Sequence, residues 1–266
     1  MCECARVQIR VRVCLIMSLT AMLATGCGSS FKPNAPSTTP ATTLSMPVET
    51  VFIRAYFLRG GRLAATGRKT VRTLGVGNAS IGALLAGPIA VEHRIGFKTA
   101  LPAEIQQRRV VLDKKTLTVE LTKNLNRTAR AQVVTTLTQF PTVHSVVLVT
   151  PAGSSRPLTR ADFENLLPAV LIESPVPFGQ VKSPLRVRGS SNTFEATSQL
   201  ELLDENGKLL AAKTITASSG TGTRGTFDVT LSFKAPAGPA TLVSYENSAK
   251  DGSRIDVVRI PVRISG

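Results

Sequence analysis

Residues 51–58 (VFIRAYFL) alternate loosely between apolar and polar positions and are rich in β-branched and aromatic side chains, the pattern of a strand. Gly60 and Gly61 turn the chain, and residues 71–74 read as the returning strand. Asn78 stands where it would cap a short helix over residues 79–86, with Gly87-Pro88 as its stop. Strands are predicted at residues 110–112 and 117–121, joined by Asp113-Lys114-Lys115-Thr116. Asn126 is placed to cap a second helix over residues 127–139. There Ala129, Val133, Leu137 and Phe140 recur at helical spacing and predict one buried face. Residues 143–150 (VHSVVLVT) read as a central, strongly apolar strand. Thr159 and Asp162 have capping-box spacing, with Asp in the Glu place, and Leu158 and Phe163 stand where a hydrophobic staple would put them. This order predicts an α+β N-terminal domain in which two βα-type halves pack on one sheet.

Beyond residue 168 the pattern changes. Strands are predicted at residues 170–173, 185–189, 197–203, 209–216, 226–233, 240–246 and 255–264, with turn residues between them. In TFDVTLSF, Phe227, Val229, Leu231 and Phe233 alternate strictly and share a face. Asn206-Gly207 reads as a type I′ hairpin turn. Seven short strands in under a hundred residues predict an all-β immunoglobulin-like sandwich, here without a cysteine pair or a tryptophan.

The first 26 residues have the zones of a secretory signal: Arg6, Arg10 and Arg12, then a mostly apolar run, then small residues. Leu23-Ala24-Thr25-Gly26-Cys27 resembles the lipobox of bacterial prolipoproteins, although Ala24 stands where Leu is usual. The resemblance implies cleavage before Cys27 and a diacylglyceryl group on its thiol. The other cysteines, Cys2, Cys4 and Cys14, leave with the signal. Residues 27–48 are rich in Pro, Ser, Thr and Ala without periodicity, and read as a tether spanning roughly 25 Å. The expected organisation is thus a signal peptide (1–26), a lipidated tether (27–48), an α+β domain (49–168) and a sandwich (169–266). The expected place is extracytoplasmic, lipid-anchored to the cell membrane.

Charge is uneven. The chain carries a formal +15. Residues 52–168 hold seventeen Lys and Arg against six Asp and Glu, whereas residues 169–266 hold eleven against nine. Arg54, Arg59, Arg62, Arg68, Lys69 and Arg72 cluster around the first hairpin, and Arg108 and Arg109 form a second group with Lys114 and Lys115. These are candidate polyanion contacts. Outside the membrane the partners to consider are cell-wall polymer, anionic lipid or an envelope protein. Nucleic acid is not expected, because only Tyr56 and Phe57 interleave with these cations and a strand core accounts for them. Arg127 and Arg130 gain nothing locally at a helix N-terminus, which hints at an outside partner.

Candidate chemistry is sparse. His93 lies in a charged stretch and His144 in the apolar strand, where it reads as structural; neither has a ligand-like neighbour, so no metal, cofactor or catalytic residue is assigned. Glu92, Glu104, Asp113, Glu120, Asp162 and Glu164 are the acids open to a hidden carboxylate pair in the first domain. In the second, Lys250-Asp251-Gly252-Ser253 reads first as a turn. The rival is a loop-tip recognition patch of Asn192, Glu195, Lys250 and Asp251 at one end of the sandwich.

Two family resemblances cover about four fifths of the chain. NASIGALLAGP, VVLDKKTLTVELT, VVTTLTQFPTV and VVLVTPAG resemble the GerMN domain of sporulation, germination and envelope proteins, most specifically at Thr136 to Val143. IESPVPFGQVKSPLRVRGSSNTFEA, LLDENGKLL and SYENSAKDGSRIDVVRIPVRI resemble the immunoglobulin-like domain of bacterial spore germination. Together they imply a non-enzymatic envelope lipoprotein acting as a binding or scaffold module in envelope assembly, sporulation- or germination-like processes, or sensing. The alternative is a wall- or lipid-processing enzyme with an unrecognised site.

Overall fold

Residues 50–59 and 62–71 pair along their whole length, and Gly60 and Gly61, both at positive φ, turn the chain between them. The structure, a computed structural model, describes residues 49–71 and 75–266. The signal, Cys27, the tether and Arg72 lie outside the described residues. The hairpin strands are β1 (Thr50–Arg59) and β2 (Arg62–Val71), so the returning strand starts directly after the turn rather than at residue 71. With β3 (Phe97–Lys98) they form an antiparallel sheet ordered β2-β1-β3. A second sheet contains β4 (Gln107–Asp113), β5 (Thr116–Leu121), β6 (Ser145–Thr150) and β7 (Gly153–Ser154), in that order. The α+β half therefore uses two sheets where the sequence suggested one.

Strands β5 and β6 are parallel. A parallel pair needs a crossover, and α3 (Arg127–Leu137) supplies it. The Asn126 side chain accepts a hydrogen bond from the Ala129 amide at 2.8 Å, as a cap should. This helix is buried on more than the predicted face: Ala131, Gln132, Val134, Thr135 and Thr136 are buried along with Ala129, Val133 and Leu137. Helix α1 (Val76–Leu85) starts a turn earlier than predicted, N-capped by Gly75. Asn78 lies inside it, and its side chain instead accepts from Gln107 Nε2 at 3.2 Å. A short helix that periodicity did not reveal, α2 (Ala90–Arg94), buries Glu92.

A 3-10 helix, Arg160–Leu166, closes this half. The Asp162 carboxylate accepts from the Thr159 amide at 2.7 Å, and both staple residues, Leu158 and Phe163, are buried.

The second half is a two-sheet sandwich. One sheet is ordered β13-β10-β8, from β8 (Val170–Ser174), β10 (Leu185–Ser191) and β13 (Gly225–Leu231). The other is ordered β12-β11-β14-β15-β9, from β9 (Gln180–Val181), β11 (Thr197–Asp204), β12 (Leu209–Thr216), β14 (Gly238–Asn247) and β15 (Arg254–Ile264). The seven predicted strands are present, and the two-residue β9 joins them. At the Asp204–Gly207 turn only Gly207 has positive φ, so the turn is not type I′. Asp204 Oδ1 holds it by accepting from the Asn206 and Lys208 amides, while the register slips between Leu202 and Leu203. Gly189 lies where β8 and β10 approach closely: a Cβ there would collide with the Leu171 carbonyl and the Phe227 ring.

The described residues all belong to one compact unit, which contains two hydrophobic cores. Strand β8 serves both. Leu171 packs into the first core, while Val170 and Ile172 point into the second. Alternation along a strand puts successive side chains on opposite faces, so one apolar run fastens two cores together.

Candidate functional site

Two half-buried ion pairs cross the junction between the halves. Tyr56, fully buried on β1, reaches the Glu173 carboxylate on β8 with its hydroxyl. Arg160 lies over the Tyr56 ring, 5.2 Å from its centre, and donates to Glu173 Oε1 at 2.8 Å. Its other nitrogens donate to Thr138 Oγ1 and the Thr135 carbonyl, so it also holds the end of α3. Burial pushes the Tyr56 hydroxyl up to about 12, with Glu173 adding to the effect against Arg160. Burial also works against the Glu173 carboxylate, but the Arg160 charge and the Tyr56 and Arg160 hydrogen bonds outweigh it and hold Glu173 below the usual range.

A second knot lies nearby. Glu164, on the 3-10 helix, accepts from Arg224 Nε with both oxygens at 3.0 Å and from Asn192 Nδ2 at 3.1 Å. Arg224 also donates to the Pro168 carbonyl at 2.7 Å and the Ser190 carbonyl at 3.1 Å. Burial opposes the Glu164 charge, and the Arg224 and Asn192 bonds still lower its affinity for a proton.

Between the halves opens a cleft of about 440 Å³. Arg59, Arg62 and Arg259 contribute to a lining that is otherwise largely apolar. Arg59 Nε donates to the Ile95 carbonyl at 3.0 Å and its Nη1 to the Arg259 carbonyl, while Arg62 donates to the Asn165 carbonyl.

The candidate cations do not form a single patch. Arg68 is committed to the buried Glu92, with two bonds of 2.6 and 2.8 Å. Arg54 is half-buried and its charge acts on Tyr56 and Glu173. Lys69 is exposed on β2, and Arg108 and Arg109 lie on β4, in the other sheet. Arg108 approaches Glu120 at 3.6 Å. Arg127 has an internal use after all, because it donates to the Asp162 carbonyl and the Asn165 side chain and lies over Phe163. His93 and His144 are exposed, His144 just ahead of β6 rather than within it.

The loop-tip residues separate as well. Asn192 is structural: besides holding Glu164, its oxygen accepts from the Gly222 amide at 2.9 Å. Glu195 is exposed at positive φ, and its amide donates to Thr221 Oγ1. The bonds of Lys250 and Asp251 stay within their hairpin tip, to Ser248 and Ser253. Glu246, which accepts from the Phe194 amide at 3.0 Å, is the residue that ties the two loop regions. Sequence reasoning gave no site role to Tyr56, Arg160, Glu173 or Arg224. The one available signal was a charged residue directly following the apolar run of β8.

Residues 54–150 match a family model described as sporulation and spore germination, and residues 169–253 match the immunoglobulin-like domain of bacterial spore germination. Among solved structures, the chain is similar to the first GerMN domain of the sporulation protein GerM from Bacillus subtilis. The identity is 22% and the TM-score 0.33, over 41% of this chain and 95% of that one. The tandem GerMN domains of the same protein match at 15% identity and a TM-score of 0.36, over 69% of this chain and 62% of that one. CopC from Methylosinus trichosporium OB3b matches at 16% and 0.25, over 36% of this chain and 93% of that one. No curated protein matches the chain.

Proposed function

This chain carries a sporulation and spore germination domain followed by the immunoglobulin-like domain of bacterial spore germination, and from that premise we propose that it is a non-enzymatic binding or scaffold lipoprotein of the cell envelope. Cys27 would carry its lipid, and residues 28–48 would lift the folded unit off the outer face of the membrane. The observation that carries the reading is the dual use of β8, one face in each core. Two modules joined this way present their loops in a fixed relation, which suits recognition of an extended partner such as wall polymer or another envelope protein. The half-buried charges at the junction are engaged with each other in holding the halves.

The test is retention. The full chain, purified from the membranes of an exporting host, is sedimented with purified cell wall and with anionic liposomes at low and high salt. Wall retention that survives high salt is expected, together with release of Cys27→Ser from membranes into the soluble fraction. Retention on both materials that vanishes with salt would reduce the basic surface to a nonspecific field. Release of soluble fragments from the wall would turn the reading towards an enzyme.

A further inference from the structure

Three partly buried arginines of this unit meet a carboxylate: Arg68 meets Glu92, Arg160 meets Glu173 and Arg224 meets Glu164. Arg59 and Arg62 differ. They are the last register pair of β1 and β2, directly opposite each other, and like charges so placed repel. Among the described residues, their hydrogen bonds go to the carbonyls of Ile95, Arg259 and Asn165 and to no carboxylate. Burial lowers the proton affinity of Arg59 with nothing opposing it. Two guanidiniums thus stand in mutual repulsion in the lining of a cleft whose partly exposed apolar side chains include Ala64, Ile95, Val257 and Val258.

We propose that this cleft binds a small anionic amphiphile, with a single carboxylate or phosphate head seated between Arg59 and Arg62 and an aliphatic chain on the apolar side chains. The head relieves the repulsion through charge-assisted hydrogen bonds, which guanidinium forms well with planar or tetrahedral oxyanions. The chain replaces water over the apolar lining. The volume of about 440 Å³ falls within the range of small-molecule sites, roughly 300–1,000 Å³. The inference goes beyond the envelope reading and needs neither the lipid anchor nor wall binding.

Position-resolved labelling tests it. The full chain is irradiated with a dodecanoate carrying a diazirine in its chain, and labelled peptides are mapped by mass spectrometry. Label is expected on residues 168–172 and 257–260, competed by decanoate and by decyl phosphate but not by decanol or sodium phosphate. Arg62→Gln, at an exposed position, should weaken cleft labelling about tenfold, and Ala64→Trp, which fills the cleft, should abolish it. Equal competition by decanol would overturn the role of the arginines. Competition by sodium phosphate alone would make this a free-anion site and overturn the amphiphile. Absence of label from the cleft, or label unchanged in both variants, would overturn the whole proposal. The competition arms use the unaltered chain, so they decide even if Ala64→Trp fails to fold. Failure of wall retention leaves this outcome untouched, because the readout is position within the cleft.

Discussion

Tyr56 shows how one side chain can serve two layers at once. Its ring belongs to the first core and its hydroxyl ends against Glu173 of the second half. Enclosure raises the hydroxyl to about 12, so the neutral form is the one that folding favours. The sign follows: the contribution is complete below the unfolded value of ~10 and is lost as pH rises towards the folded value. The chain has two tyrosines, and Tyr245 is also raised, chiefly by burial and by its bond to Glu201. In Tyr245→Phe, tyrosinate absorbance should therefore appear with a midpoint near 12, together with loss of folded signal. A midpoint at the ordinary ~10 would show that Tyr56 is in contact with water.

At the scale of elements, α3 does the work of a missing strand. β1 pairs with β3 only at Leu58 and Arg59, which leaves backbone groups on that edge to be satisfied. Gln139 accepts from the Arg54 amide at 2.8 Å and donates to the Arg54 carbonyl at 2.7 Å. Thr136 Oγ1 accepts from the Tyr56 amide at 3.1 Å, and Gln132 donates to the Tyr56 carbonyl at 3.1 Å. Gln132 and Thr136, four apart, share one face of α3, and Gln139, just beyond its C-cap, extends them into a row of partners along the strand. That row accounts for Thr136 and Gln139 in the TLTQF stretch, which spans the end of a helix buried on several sides. Gln132→Leu is expected to leave the Tyr56 carbonyl and the Ala100 amide unpaired, at about 1–3 kcal/mol per group. Denaturant unfolding measures this directly, and an unchanged midpoint would show that water replaces the amide.

For the whole molecule, the two halves should unfold together, because β8 lies in both cores and two ion-pair knots flank it. Glu173 and Glu164 both hold their protons less tightly than free carboxylates. Their contributions are therefore present above the ordinary carboxylate range and are lost as pH falls through the folded values. Acidification from neutral pH to below ~4 should loosen the junction first, seen as faster amide exchange in β8 than in β11 or β14. Glu173→Gln should flatten that pH dependence. At neutral pH it leaves Arg160 without its counter-charge at a cost of about 2–3 kcal/mol, somewhat under the ~3–5 of a fully buried pair. Two separate thermal transitions in the unaltered chain would contradict the single unit.

The chain order and class of most elements could be read from local pattern alone. Alternation in TFDVTLSF, the Asn126 cap and the Thr159–Asp162 box each depend on a few neighbouring residues, and each recurs in the structure. The family character of both halves was legible for the same reason, since it lies in contiguous stretches. Pairing across distance was not. Whether β1 and β5 share a sheet depends on which edges meet, and α3 occupies the edge that β1 would have offered. Glu92 read only as one of several acids open to a carboxylate pair until the fold brought Arg68 to it from β2. The basic cluster likewise existed only along the sequence, because strand geometry sends its members to a buried pair, a junction, a cleft and an open surface. Spacing along the chain specifies which backbone a residue can adopt. Only the tertiary structure decides which charge meets which, because a guanidinium takes whatever acceptor the folded chain places within its reach.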